Sequence, residues 1–304
     1  MIAERPEEFR AAVGRLPDEP WSRATAARVL LVRPDGFRLD ADAQADNVYM
    51  AVDDVREERA LAEHRALAGA LAGSVDVVEF AGDPATPDAV FPNNVFATAA
   101  GRLIVGRMRH PTRRREAERA DIRRYFTVGL GYDVVDLSGR GDLVAELTGP
   151  LVVDRRRGIG YCGLSGRCDR AGAAAMHAAF GLRLTFVFAL RPEEYHTNVV
   201  MAVLAGRALV VHAGSFVDGE VPRAIAEVYG ERVLWLSAAE KHAFVGNAMA
   251  LAEDEVWMSS RAEAALAPEH RAALEAWGFG IRSVPLAEIE KAGGSLRCCV
   301  AEIF

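Results

Sequence analysis

Short β-branched runs alternate with Ala-, Glu- and Arg-rich stretches whose apolar residues recur at helical spacing, and the two patterns follow a fixed order. "NVFATAA" and "RLIVGRM", split by Gly101, read as two strands. A helix is expected from Thr112 to about Leu130, then a strand in "YDVVDLS". The order strand, strand, helix, strand returns in "PLVVD", "GIGYCGL", "RAGAAAMHAAFG" and "LRLTFVFAL". It returns again in "NVVMAVL", "ALVVHA", "VPRAIAEVYG" and "RVLWLS". A fourth copy runs through "AMALA", "EVWMSS", "RAEAALAPEHRAALEAWG" and "GIRSVPL".

A fifth copy exists only if the two ends of the chain combine. "CCVAEIF" supplies its first strand, "ARVLLVRP" its second, "REERALAEHRALAGALAG" its helix and "VDVVEF" its last strand. Repeated units that bury a face against the next, with the last meeting the first, leave no exposed sheet edge. The expected fold is therefore an α/β ring of five ββαβ modules, with residues 1–304 as one domain. The alternative is an ordinary α/β sheet whose regularity is accidental.

One polar residue opens each unit: Asn94, Glu146, Asn198, Asn247 and Cys298, spaced roughly fifty residues apart. In a closed ring such positions converge on the axis. An acid, three amides and a thiol would then share one pocket, with His196, two residues before Asn198, on the same side of an extended chain. Singly, these residues carry little: a cysteine is usually a small buried hydrophobe and an asparagine a turn residue. Their common phase is what joins thiol, imidazole and carboxylate in the layout of cysteine nucleophilic catalysis. His212 lies off this phase and reads as structural.

Composition narrows the field. The chain has 304 residues, a formal net charge of −7 and 51% hydrophobic content, enough for a substantial core and without the basic excess of a nucleic-acid protein. The run "RMRHPTRRREAERADIRRYF" reads mostly as a solvated helix face. No apolar run approaches the ~18 residues of a membrane span, and "MIAERPEEFR" is unlike a signal peptide. Four cysteines make no disulfide framework, so a reducing, cytoplasmic setting is expected. Cys162 and Cys168 lack zinc-ligand spacing, and there is no HExxH, P-loop or GxGxxG after a strand. No cofactor or metal is called for. The expected partner is a small-molecule substrate, with neither nucleic acid nor membrane, and self-association into a homo-oligomer stays open.

"FPNNVF", "ELTGPLVVD", "YHTNVVM" and "GGSLRC", in this order and in phase, resemble the guanidino-group-modifying superfamily. It comprises arginine deiminases, dimethylarginine dimethylaminohydrolases, amidinotransferases and arginine or succinylarginine dihydrolases. The resemblance runs from "LLVRPDGF" to "GGSLRCCVAEIF", and "FPNN" and "HTN" are most similar to the citrulline-utilisation hydrolase-like branch. It implies a five-bladed α/β propeller, the pentein fold. It also implies Cys298 as nucleophile, His196 as general acid/base and Glu146 as the carboxylate that holds substrate and helps move protons. Asn94 and Asn198 fall where deiminases usually carry two aspartates, and Asn247 falls at the edge of that site. Arg113, with Arg114 and Arg115 as competing choices, and Arg167 match positions for a substrate α-carboxylate; Asp88 and Phe91 match pocket-lining positions. Strand alternation would turn Cys299 away from Cys298.

Replacing two acids by amides forfeits about 3–6 kcal/mol of guanidinium binding if nothing compensates. Amides instead suit a neutral ureido group, donating to its carbonyl oxygen and accepting from its NH2. A hydrolase releasing ornithine and ammonia from citrulline or arginine therefore ranks above a deiminase giving citrulline from arginine or methylarginine. An amidinotransferase and a non-enzymatic amino-acid-binding protein rank lower.

Overall fold

The computed structural model describes residues 1–39, 47–51 and 54–304. Among these, five sheets repeat one connection: a first strand antiparallel to a second, which is parallel to a third. Phe96–Ala99, Arg102–Val105 and Asp133–Asp136 form one sheet. Leu151–Asp154, Ile159–Leu164 and Leu184–Ala189 form the next, and Ile2–Ala3 adds a fourth strand parallel to Leu184–Ala189. Met201–Leu204, Ala208–Val211 and Val233–Trp235 form the third; Met249–Ala252, Glu255–Ser259 and Gly280–Val284 form the fourth. In the fifth, Ala301–Ile303 runs antiparallel to Arg28–Val32, which is parallel to Asp76–Phe80. The expected pairing between the two ends of the chain is thus present.

The strand patterns follow from position. The second strands are buried on both faces, so "RLIV", "RVLLV" and "ALVV" are nearly continuous apolar runs. Third strands at a sheet edge tolerate polar residues, as in Asp133–Asp136 and Asp76–Phe80, whereas Leu184–Ala189, covered by Ile2–Ala3, is mostly buried and apolar. Alternate residues of a second strand feed two different hydrophobic clusters. Leu103 and Val105 pack with Leu30, Val32 and Ile303, whereas Ile104 packs with Leu151, Cys162 and Phe180. Five such clusters occur among the described residues. Four join sheets consecutive in the chain; the other joins the fifth sheet to the first.

Two expected elements differ. The helix from Thr112 to Leu130 is broken into Pro111–Arg114, a 3-10 turn Arg115–Glu118, Ala120–Arg124 and a π-turn Tyr125–Gly129. Arg113 and Glu116 turn inward there and pair with each other. The first strands also begin later than expected. Pro92–Asn94, Thr197–Val200, Val245–Asn247 and Leu296–Cys299 are single helical turns, and a turn through Leu147 (φ +37°) precedes Leu151–Asp154. These turns carry the polar residues. Two sequence expectations are thereby corrected. Cys298 and Cys299 diverge on a 3-10 turn, not by strand alternation, and His196 is the extended residue just before a helical turn that contains Asn198. The N-terminal helix Pro6–Val13, packed through Phe9 and Ala12, was outside the repeat and not expected.

Candidate active site

The turns before the first strands bring the repeat-phase residues together. Cys298, Asn94 and His196 line one cavity with Asp88, Phe91, Arg113 and Arg167. Glu146, Asn198 and Asn247 stand directly behind it, each bonded to a lining residue. Pro92 starts the turn that carries Asn94, where its missing N–H costs nothing. Gly293 (φ +81°) reverses the chain before Ser295, and Gly294 lets Phe91 and Cys298 close in; a Cβ there would stand 2.8 Å from the Phe91 ring and 3.1 Å from the Cys298 Cβ.

The amide orientations are fixed by their partners. Asn198 Nδ2 donates to the Thr148 carbonyl at 2.9 Å, and Asn247 Nδ2 donates to the Asn198 carbonyl at 2.7 Å and to Cys298 Sγ at 3.3 Å. A carbonyl oxygen accepts only from N–H, so both side-chain oxygens must face the other way. Asn198 Oδ1 lies 3.9 Å from Cys298 Sγ. Asn94 Oδ1 and Asn247 Oδ1 are buried and have no hydrogen-bond partner among the described residues. At the thiol the site thus presents one amide oxygen, Asn198 Oδ1, and one amide nitrogen, Asn247 Nδ2. Of the two amides expected at a ureido group, Asn94 and Asn198, Asn198 donates to Thr148 and turns its oxygen toward Cys298.

Glu146 anchors the opposite wall. Oε2 lies 2.9 Å from His196 Nε2 and 3.4 Å from Arg167 Nη1, and Oε1 accepts from the Arg109 amide at 3.1 Å. Burial opposes ionisation of Glu146, but Arg167 and His196 outweigh it and hold the carboxyl well below the usual range. Against an ionised carboxylate His196 Nε2 is the donor, which leaves Nδ1 as the basic nitrogen; it is buried with no hydrogen-bond partner among the described residues. Burial lowers the His196 pKa despite Glu146, and burial raises that of Cys298 against the Ser295 and Asn247 hydrogen bonds. The resting pair is a thiol beside a neutral imidazole.

Arg113 is the arginine of its cluster that reaches the cavity. Nε and Nη2 each lie 2.9 Å from a Glu116 oxygen, and Nη2 also reaches the Phe91 carbonyl at 3.1 Å. Arg114 is taken by the Met108 and Arg109 carbonyls. Burial dominates at Glu116 and lifts its pKa to about 7 against Arg113. Cys299 packs among apolar side chains, away from the cavity. His212 Nδ1 is bonded to Ser215 at 2.8 Å outside it.

Four contributors were not anticipated. Tyr195 packs its ring 4.5 Å from that of His196, lies 5.7 Å from the Arg167 guanidinium and donates to the Gly293 carbonyl. Its signal was its place beside His196 in "YHTN". Asn47 lines the cavity and Glu116 partners Arg113; neither follows the repeat phase. Gly149 is the fourth. A Cβ there would stand 2.6–2.8 Å from three atoms of the His196 ring. Gly149→Ala is therefore expected to displace the imidazole and lower kcat by about 100-fold with the fold kept, as misplacement of a catalytic group by about 1 Å does. Steady-state kinetics alongside a melting curve checks this; wild-type kcat would show that the ring position is unimportant.

The chain is similar to several known proteins. A model of the family described as N,N dimethylarginine dimethylhydrolase, eukaryotic, matches residues 33–304. The N(G),N(G)-dimethylarginine dimethylaminohydrolase of Mycobacterium tuberculosis is 28% identical, covering 93% of this chain and 88% of that protein. The bifunctional arginine dihydrolase/ornithine cyclodeaminase AgrE of a Nostoc species is 24% identical over 71% of this chain, which spans 29% of AgrE. Among solved structures, the substrate-bound N-terminal domain of the cyanobacterial arginine dihydrolase ArgZ superposes with a TM-score of 0.79 at 22% identity, covering 90% of this chain and 97% of that domain. A dimethylarginine dimethylaminohydrolase variant carrying an S-methyl-L-thiocitrulline adduct gives 0.69 at 19%, covering 92% and 100%.

Proposed function

The chain belongs to the N,N dimethylarginine dimethylhydrolase family, and from that premise we propose that it hydrolyses a C–N bond at the guanidino carbon of arginine or an N-substituted arginine. The observation that carries this is one cavity lined by Cys298, Asn94 and His196, with Asn198 Oδ1 3.9 Å from Cys298 Sγ and Glu146 bonded to His196. Asn198 Oδ1 and Asn94 Oδ1, the latter unpartnered among the described residues, accept from guanidinium N–H groups, and the ionised Glu146 offsets the cation's charge.

In this reading His196 Nδ1 takes the proton of the Cys298 thiol, and the thiolate adds to the guanidino carbon. His196 delivers a proton to the departing ammonia or amine, whose C–N bond breaks to leave a thiouronium on sulfur. Water then loses a proton to His196 and adds to the same carbon, and the C–S bond breaks to release a ureido product and return the thiolate. Arg113 and Arg167 are assigned to the substrate α-carboxylate, Asp88 and Phe91 to the side of the substrate, and Asn94 to a guanidinium N–H. The five sheets are read as blades of one five-bladed propeller domain, supported by the cluster joining the fifth sheet to the first. Among the described residues no helix is long and apolar enough to cross a membrane, and four free cysteines support a reducing compartment.

A second hydrolysis, carrying the ureido product on to ornithine, ammonia and carbon dioxide, is favoured by the uncharged amides. They hold a neutral ureido NH2 without an unpaired carboxylate beside it. Purified protein supplied with arginine, N,N-dimethylarginine and citrulline separates the readings through ammonia, dimethylamine, citrulline and ornithine. Ornithine from arginine or citrulline establishes the second step; citrulline accumulating without ornithine confines the enzyme to the first. No release from any of the three overturns the proposal.

The resting thiol and neutral imidazole give a pH prediction. Because burial raises the Cys298 pKa, alkylation by neutral iodoacetamide should climb with pH through a midpoint above the ordinary thiol value. A cationic amidine reagent brings its own positive charge and should show a lower midpoint, each unit being about tenfold in thiolate fraction. Equal midpoints would mean that substrate charge does not help ionise Cys298.

A further inference from the structure

A second cavity lies on the other side of Asn198 from the reactive one. Its walls are Val152, Met201, Ala202 and Met249 from the first strands, closed by Thr148 and Asn198. Two arginines and one acid also line it: Arg155, Arg297 and Glu302. Arg297 Nη2 lies 2.9 Å from Glu302 Oε2, and its Nη1 donates to the Val300 carbonyl at 2.7 Å. Arg155 is only 5% exposed, yet it has no carboxylate partner among the described residues. Its Nη1 donates to the Thr98 carbonyl at 3.0 Å, and its guanidinium lies 4.0 Å from the Phe304 ring and 5.4 Å from that of Phe180. Burial pulls its pKa down to about 10, with Glu302 opposing and Arg297 adding to the effect.

A buried cation held by one carbonyl and two ring faces leaves a positive charge uncompensated in a polar cavity, a costly arrangement unless an anion joins it. We propose that this cavity is a second ligand site, for a small oxyanion such as a carboxylate or a phosphate, held between Arg155 and Arg297, and that its occupation slows reaction at Cys298. A planar fork of N–H donors suits either group. The route to the thiol is short. Arg297 and Cys298 are neighbours in the 3-10 turn Leu296–Cys299, and the positive charge of Arg297 favours the thiolate. An anion beside Arg297 offsets that charge. Asn198, whose Oδ1 lies 3.9 Å from Sγ, is also a wall of the second cavity.

The test uses the intact protein with sodium phosphate or sodium acetate, each against sodium chloride of equal ionic strength. Melting temperature reports binding, and the rate of Cys298 alkylation by iodoacetamide reports coupling. One oxyanion, or both, should raise Tm with the logarithm of concentration, by about 3 °C at tenfold the dissociation constant, and slow alkylation by about twofold or more. Phosphate acting alone identifies a phosphate site, acetate alone a carboxylate site, and both together an oxyanion site without further selectivity. Arg155→Met should remove the response, and Glu302→Gln, which deletes the competing carboxylate, should shift it to lower concentration. A response equal to that in chloride, or one unchanged in Arg155→Met, overturns the site. Should Arg155→Met fail to fold, an unshifted response in Glu302→Gln does the same. The slowing rests on Cys298 being the reactive thiol, whereas the melting arm does not, so an inert Cys298 and an absent anion site give different results.

Discussion

Cys298→Ala is expected to abolish release of ammonia or amine from every substrate, a fall of roughly a millionfold of the kind seen when a covalent nucleophile is removed. The change trims one sulfur in a turn held by backbone bonds to Ser295, so the melting temperature should stay near that of the parent. Substrate binding should also survive, since the amide nitrogens of Asn198 and Asn247 and the carboxylate of Glu146 keep partners other than Cys298. Cys299→Ala is the matching control. That thiol packs among Val29, Leu67 and Trp257, and its loss should cost stability of the order of one or two methyl groups, about 1–2 kcal/mol, and little activity. Turnover in Cys298→Ala, or its loss in a well-folded Cys299→Ala, would exchange the roles of the two cysteines.

Deletion of Cys298 to Phe304 is expected to remove cooperative unfolding altogether. It takes away Ala301–Ile303, the antiparallel partner of Arg28–Val32, and leaves that buried strand with an open edge. Phe304 also ties the first sheet to the fifth: its amide donates to Thr98 Oγ1 at 2.9 Å and its carbonyl accepts from Tyr132 at 2.6 Å. Val300 and Ile303, both buried, contribute about 1.5–3 kcal/mol each, together comparable to the lower end of the net stability of about 5–15 kcal/mol of an ordinary protein. Circular dichroism and a melting curve decide the matter, and a deletion protein that melts like the parent would sink the idea that the fifth sheet is indispensable. Comparison with Cys298→Ala, folded and inactive, separates loss of structure from loss of chemistry.

What could be read from the chain was whatever the repeat imposes. Each unit must bury the two faces of its second strand against two neighbours, so the apolar runs recur, and with them the phase of Asn94, Glu146, Asn198, Asn247 and Cys298. The local geometry of those residues was not legible. Turns such as Pro92–Asn94 and Leu296–Cys299 are one helical turn long, too short for any periodicity, and they read as the start of the following strand. Glu116 looked like one more charge on a solvated helix, because nothing in the sequence says that the helix breaks and turns Arg113 inward. Asn47 has no counterpart in the other units, so no repeat could point to it. Composition shows that an amide is present but not which end faces the thiol. Thr148 and Asn198 settle that through their carbonyl oxygens.

The fifth sheet also sets when the chemistry can exist. Ala301–Ile303 and Arg28–Val32 are almost the whole chain apart in sequence, so their pairing is among the least local contacts of the fold and closes the largest loop. The turn that carries Cys298 leads directly into that strand. Intermediates in which the other four sheets have formed would already hold Glu146, His196 and the three amides, but not the sulfur in their midst. Reactivity and completion of folding are thus one event. A partly folded chain is chemically silent, and recovery of activity on refolding should trail recovery of secondary structure, following the slowest step by which the ends meet.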